Sequence, residues 1–367
     1  MLPSGHLLYV HQGVLYGIGF DFDQLQTRGI PRPLFDDVAA NPLTGGGEFD
    51  FAAAPTGPGT LVYLAGRAAG QNWQLALLDK AGNVNPLVAA TGTYILPRFS
   101  PDGRKLLFVG SEGAPHILDL EREMITRLTS IKSGRSVVWA PDGKHIVLGG
   151  AGGLSWIRSD GVGGPTPLIE SNNPLSAWSF SPDGHWLAYF ETMPETGTDI
   201  WVLPLDTTDP DHPKAGAPQS YLRTPANEYL PRFSGDGHWV AYRSDESGSN
   251  EIWVMPFPAG SGGKWQISTG GGLYAFWSKN GRELFYEAAD HRIMVVEYEV
   301  NGNSFEPRKP RLWSDRQLFY PGLSNLDLAP DGQRFAVLTA PDATSTASRF
   351  HVTMLFNYFD ELKRMIP

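Results

Sequence analysis

With no cysteine among its 367 residues, this chain has no disulfides, thiolate metal sites or cysteine nucleophiles, which turns attention to its serine, histidine, acidic and basic side chains. Each occurs in patterns that can be held against what the chemistry needs. A serine hydrolase of the nucleophile-elbow type places its serine in Gly-x-Ser-x-Gly on a strand-to-helix turn. Gly153-Leu154-Ser155-Trp156-Ile157 and Gly322-Leu323-Ser324-Asn325-Leu326 both miss the second glycine, and no α/β segment follows. Zinc wants clustered ligands. The nine histidines are dispersed, and His145, His185 and His238 recur at one place, just after an Asp-Gly. Asp209-Pro210-Asp211 lacks the glycine and distal glutamate of a calcium loop. Phosphoryl transfer would need a glycine-rich loop with a strand lysine, a His-Arg-Asp loop and Asp-Phe-Gly. The nearest fragment, Asp290-His291-Arg292-Ile293, lacks the aspartate. Paired carboxylates could serve glycoside hydrolysis, but with 39 acidic residues such pairs arise by chance. The residues therefore predict no catalytic constellation, no metal site and no cofactor.

Recognition chemistry is better represented. Arg98 and Arg232 occupy the same place in two copies of Leu-Pro-Arg-Phe-Ser. Near them, or at equivalent places, stand Tyr94, Asn173, Trp178, Glu228, Tyr229, Tyr274, Phe276, Asn325 and Asp327. Tyrosine, tryptophan and arginine dominate interface energetics. The competing reading is that each arginine pairs with an acid from a neighbouring repeat and is purely structural.

The elements that must position these residues announce themselves by repetition. Six times a small turn of the form Ser/Ala-(Pro)-Asp/Asn-Gly lies between two short apolar strands, ending at Gly103, Gly143, Gly184, Gly237, Gly281 and Gly332. A turn recurring every 40 to 53 residues, with strands between, marks a propeller or solenoid. A large apolar residue precedes each turn: Phe99, Trp139, Phe180, Phe233, Trp277 and Leu328. The glycines supply the positive φ that tight turns need, and the aspartates cap their own turns. Each repeat reads as four strands, many apolar on both sides, as suits blades packed between blades.

We therefore expect an all-β propeller of four-stranded blades, one domain over residues 1–367 with a helical tail at 357–367. The segments entering the inner strands are expected to open onto one binding face around the channel. Two looser copies, around residues 3–10 and 49–64, bring the turns to eight but the inner strands only to seven. The chain begins in mid-repeat, which suggests truncation at its N-terminus. Seven blades are expected, or eight if a missing inner strand lies upstream. The final repeat is expected to use 325–328, 335–338 and 351–356 as its first three strands. An N-terminal strand, from 7–10, 14–20 or 31–35, would fill its outer place.

A net charge of −10 argues against a nucleic-acid partner, which would want a basic face. No run reaches the ~18 apolar residues of a membrane helix, and the N-terminus does not read as a secretion signal. As written the chain is expected in the cytoplasm. It would lie outside the cytoplasm if it were the sensor part of a membrane-anchored parent. Its expected partner is a protein or small ligand at one face of the ring.

The repeat Phe-Ser-Pro-Asp-Gly-x-x-(apolar)-Ala-Tyr, followed by Ser244-Asp245-Glu246-Ser247-Gly248-Ser249-Asn250-Glu251-Ile252-Trp253-Val254, resembles the TolB-type, WD40-like propeller repeat of bacteria. The match is strong from residue 95 to about 340. Residues 230–300, with Pro256-Phe257-Pro258, Lys264-Trp265-Gln266-Ile267-Ser268 and Glu283-Leu284-Phe285-Tyr286, are similar to the propeller that ends many bacterial receptor-type serine/threonine kinases. The tail from Asn357 matches that group too, and similar propellers follow winged-helix domains in some regulators. The resemblance implies a sensing or interaction module whose chemistry lies in a longer parent. The alternative it leaves open is a propeller enzyme, or the propeller portion of a prolyl-oligopeptidase-type hydrolase.

Overall fold

Between Trp73 and Ala340, short antiparallel sheets follow one another six times, each starting from an inner strand that ends in one of the Gly turns. The computed structural model describes residues 5–11, 13–39, 47, 49–52, 59–65, 73–88, 92, 94–110, 113–128, 136–193, 197–260, 262–319, 324–339, 351–356, 358, 362 and 364. These fall into two compact units, Trp73–Ala340 and Met1–Asn72 with Pro341–Pro367.

In the larger unit, blades 1 to 5 begin with the strands Ile95–Phe99, Ser136–Trp139, Leu175–Phe180, Glu228–Phe233 and Gly272–Trp277. Blade 6 begins with Leu326–Leu328 and continues through Arg334–Thr339. Its third and fourth strands come from earlier in the chain: Gln74–Asp79 pairs with Arg334–Thr339, and Val84–Pro86 pairs with Gln74–Asp79. Blade 6 meets blade 1 through the Phe99 N–H to Asp327 (2.8 Å) and the Leu96 N–H to the Ser324 carbonyl (3.1 Å). The ring of this unit thus closes with six blades. The seventh inner strand of the sequence reading, Phe49–Ala52, lies in the smaller unit.

The closing strands correct one expectation. His351–Leu355 is not the third strand of the last blade; it pairs with Thr60–Ala65 in the smaller unit. A third strand packs between neighbouring blades and must be apolar on both faces. Leu75, Ala76 and Leu78 meet that demand with no exposed surface. In the segment from His351, by contrast, Val352, Met354 and Phe356 alternate with Thr353 and lie exposed.

The turns explain why the repeat is spelled as it is. The Ser100 hydroxyl accepts the Lys105 N–H (2.9 Å) and donates to Asp102 (2.6 Å), whose carboxylate also accepts the Arg104 N–H (3.0 Å). The same hydroxyl-to-carboxylate bond recurs from Ser181 to Asp183 and from Ser234 to Asp236. All six turn glycines have positive φ, between 64° and 76°. A Cβ on Gly237 would approach Pro182 to 3.3 Å, and one on Gly103 would approach Pro330 to 3.4 Å, so four of the six turns, with Gly143 and Gly184, rest on the proline of the turn before. Gly237→Val should therefore lower stability by more than about 1 kcal/mol, since it combines positive φ on a β-branched residue with that contact. Gly281→Ala faces open space and should cost less; equal urea midpoints for the two variants would refute this account.

The smaller unit holds two three-stranded sheets, His6–His11/Val14–Asp21/Gln26–Phe35 and Phe49–Ala52/Thr60–Ala65/His351–Leu355. Leu8, Leu15, Val38 and Leu61 pack with Tyr358 and Leu362. In the tail, Tyr358, Leu362 and Arg364 are helical, and the rest of 357–367 lies outside the described residues. Among the described residues, no helix is long and apolar enough to cross a membrane.

Candidate functional site

Two matching distortions aim the repeated arginines. Leu96 and Leu230 take positive φ (55° and 61°), each just before a proline. The pairing register of each inner strand shifts there, between Ile95 and Arg98 and between Tyr229 and Arg232. A bulge of this kind re-aims the next side chain, and positive φ on leucine is a strain that the surrounding structure must hold. Tryptophans of the following blades clamp both backbones. The Trp139 indole donates to the Arg98 carbonyl (3.1 Å), and the Trp277 indole to the Arg232 carbonyl (2.8 Å).

Both guanidiniums converge on one carboxylate. Arg232 reaches Asp327 at 3.0 Å and Arg98 lies 3.8 Å from the same oxygen. The other Asp327 oxygen accepts the Phe99 N–H. Arg98 stacks on Trp178 at 4.4 Å and Trp178 on Tyr274 at 6.5 Å, while Arg232 stacks on Phe276 at 4.3 Å. Burial, with the repulsion of Arg232, pushes Arg98 down to about 9, against the pull of Asp327. It remains cationic at neutral pH.

These groups border a cavity of about 530 Å³, large enough for a small ligand. Arg98, Trp178, Arg232 and Asp327 line it together with Lys279 and the turn prolines Pro101, Pro141, Pro182 and Pro330. The cavity therefore lies where the inner strands leave toward the Gly turns, not where they enter. Phe276 and Tyr274 support the lining residues from behind.

The remaining candidates stand elsewhere. Tyr94 packs edge-on against Phe108, and Tyr229 lies under Arg243 and against Phe190. Glu228 is fully buried, accepts from the Thr224 hydroxyl, and is pushed up by burial. Asn173 bonds Glu191. The structural reading of the arginines is met in part, since an acid of another blade does pair with both. One carboxylate, however, serves two cations.

Sequence reasoning passed over Lys279 and Ser179. Lys279 stands where other turns have proline and donates to the Pro101 carbonyl across the mouth (2.8 Å). Gly235 also replaces the proline of its turn. Those two departures from the repeat were the available signal. Asp211 of the Asp209-Pro210-Asp211 stretch pairs with Arg158 (2.9 Å) and His145 (3.3 Å), and the Trp156 indole donates to Pro210 (2.9 Å). That insert is docked on blade 2.

Glu287 is a third missed residue. It has no exposed surface, contacts His291 at 2.9 Å, and is pushed up from 4.5 to about 7, burial outweighing the hydrogen bonds from His291 and Asn325. A raised carboxyl pKa means the folded state holds a proton that the unfolded chain releases. Its stabilising contribution is complete below about 4.5 and is lost as pH rises through about 7. Glu287→Gln should match the parent near pH 4.5 and exceed it by roughly 2–3 kcal/mol at pH 8. Chemical denaturation at the two pH values checks this; a constant difference between the proteins would remove the claim.

No protein-family profile matches the sequence. Among solved structures the chain is similar to a putative TolB from Agrobacterium tumefaciens, at 18% identity and a TM-score of 0.53, over 73% of this chain and 97% of that one. It is also similar to Kuenenia stuttgartiensis hydrazine synthase (14%, TM-score 0.48, 87% and 94% covered). A third is the β-propeller domain of Myceliophteria thermophila Cps50 (Swd1) (16%, TM-score 0.45, 60% and 72% covered). At such identities the fold alone is shared. The larger unit, built wholly of strands among its described residues, has a β-propeller fold like that of the putative TolB.

Proposed function

We propose that this chain is a non-catalytic binding module, which takes a protein or small ligand at the turn-side mouth of its propeller. The observation that carries the proposal is the cavity bordered by Arg98, Arg232, Asp327, Trp178 and Lys279. Its lining supports binding over turnover. The hydroxyls of Ser100, Ser181 and Ser234 are engaged by the aspartates of their own turns, and no histidine or glutamate lines the wall. The carboxylates that accept from Ser100 and Ser181 are held below the usual range by hydrogen bonds of their own turns, against burial, which makes them poor bases for activating a nucleophile. The likeness of residues 230–300 to kinase-linked propellers supports a sensing role within a bacterial signalling protein.

The test has two arms. The chain is assayed with ATP and a peptide, with peptide substrates and with aryl glycosides, and no turnover is expected. A fragment set is then screened by ligand-observed NMR against the parent and Lys279→Glu, a substitution at the exposed rim. Hits should be lost in the variant. Metal-independent hydrolysis abolished by one substitution, or hits indifferent to Lys279→Glu, would overturn the reading.

A further inference from the structure

The inner wall of the cavity is positive in a negative protein, while the turn aspartates Asp102, Asp183 and Asp236 just outside it are engaged by their own serines. Arg98, Arg232 and Lys279 face the single carboxylate of Asp327 along the cavity wall, in a chain of net charge −10. The Arg98 side chain is only 5% exposed, yet its Nε and Nη2 have no hydrogen-bond partner, nor has the buried Nε of Arg232. These donors have no surface on the cavity, so what the pair offers there is uncompensated positive charge, with Arg232 the more exposed of the two (18% against 5%).

The internal repeat shows which group is missing. Blades 1 and 4 carry the same Leu-Pro-Arg bulge, and the preceding blade latches each of these inner strands with a side chain. Asp327 of blade 6 accepts the Phe99 N–H of blade 1. Ser179 of blade 3 accepts the Phe233 N–H of blade 4 at 3.1 Å and donates to the Pro231 carbonyl at 2.8 Å. The two latches match in place but not in charge. Two arginine positions have been built with one carboxylate between them.

From this we infer that the second carboxylate comes from the ligand: the mouth binds a carboxylic acid, held by Arg232 beside the buried charge of Arg98. The inference rests on the binding-module reading and deepens it. A carboxylate is favoured because Arg232 already donates to that of Asp327, and a guanidinium fork fits that planar group. Trp139, Trp178, Trp277 and the turn prolines give the wall an apolar part suited to a carbon skeleton. The acid's source is either a free organic acid or the end of a peptide.

The full chain is titrated at constant ionic strength with acetate, succinate, inorganic phosphate, and an acetylated tetrapeptide as free acid and as amide. Tryptophan fluorescence is the readout. At least one carboxylate should saturate below about 10 mM, with phosphate at least about tenfold weaker. Saturation by succinate identifies a free acid, and saturation by the peptide acid alone identifies a chain end; both support the inference. Arg232→Met should weaken binding at least about tenfold. So should Ser179→Asp, which supplies the missing charge from within while Arg98 and Arg232 stay in place. No saturation by any carboxylate, equal binding of phosphate, or affinities unchanged in both variants would overturn the inference. If fragments from the screen above respond to Lys279→Glu but not to Arg232→Met or to succinate, the carboxylate falls and the binding module stands.

Discussion

Asp327→Ala is expected to destabilise the protein by about 3–5 kcal/mol, the range for breaking a buried ion pair from one side. Three losses coincide. Arg232 loses its partner at 3.0 Å, Arg98 its nearest anion at 3.8 Å, and the Phe99 N–H its acceptor. Asp327→Asn keeps an acceptor for Phe99 while removing the charge, so it should fall between the parent and the alanine variant. Adding Arg232→Met to Asp327→Ala removes one of the stranded cations and should recover part of the loss. Urea denaturation of the four proteins gives the cycle. If Asp327→Ala costs less than about 1 kcal/mol, the triad is not the electrostatic keystone of the ring.

Ring closure predicts the other large effect. Deleting residues 73–88 removes the third and fourth strands of blade 6 and leaves Arg334–Thr339 as an edge. Phe335, Ala336, Val337 and Leu338 on that strand are almost wholly buried. An apolar edge of this kind pairs with other chains. The deletion should abolish the cooperative melt and yield oligomers on size exclusion. The fragment 73–340, which keeps both closing strands, should fold alone as a monomer with a single transition. If the deletion protein melts like the parent, the closing role of these strands is wrong.

The repeat made the blades legible because its physics is local. A glycine with positive φ, an aspartate capping its own turn and an apolar residue before it each depend on a few neighbours in sequence, so Ser100-Pro101-Asp102-Gly103 could be read directly. The pairing of Gln74–Asp79 with Arg334–Thr339 could not, because its partners lie far apart in sequence and share only an apolar pattern. For the same reason His351–Leu355, a plausible strand by composition, could not be told from the true third strand until burial on both faces was seen. The candidate residues divide along this line. The sequence by itself determined that Arg98 and Arg232 are equivalent and that each follows Leu-Pro. Only the tertiary structure decided that they meet over one aspartate. A ring brings residues of non-adjacent blades to a common centre, and nothing in the spacing of a repeat records which charges will face each other there.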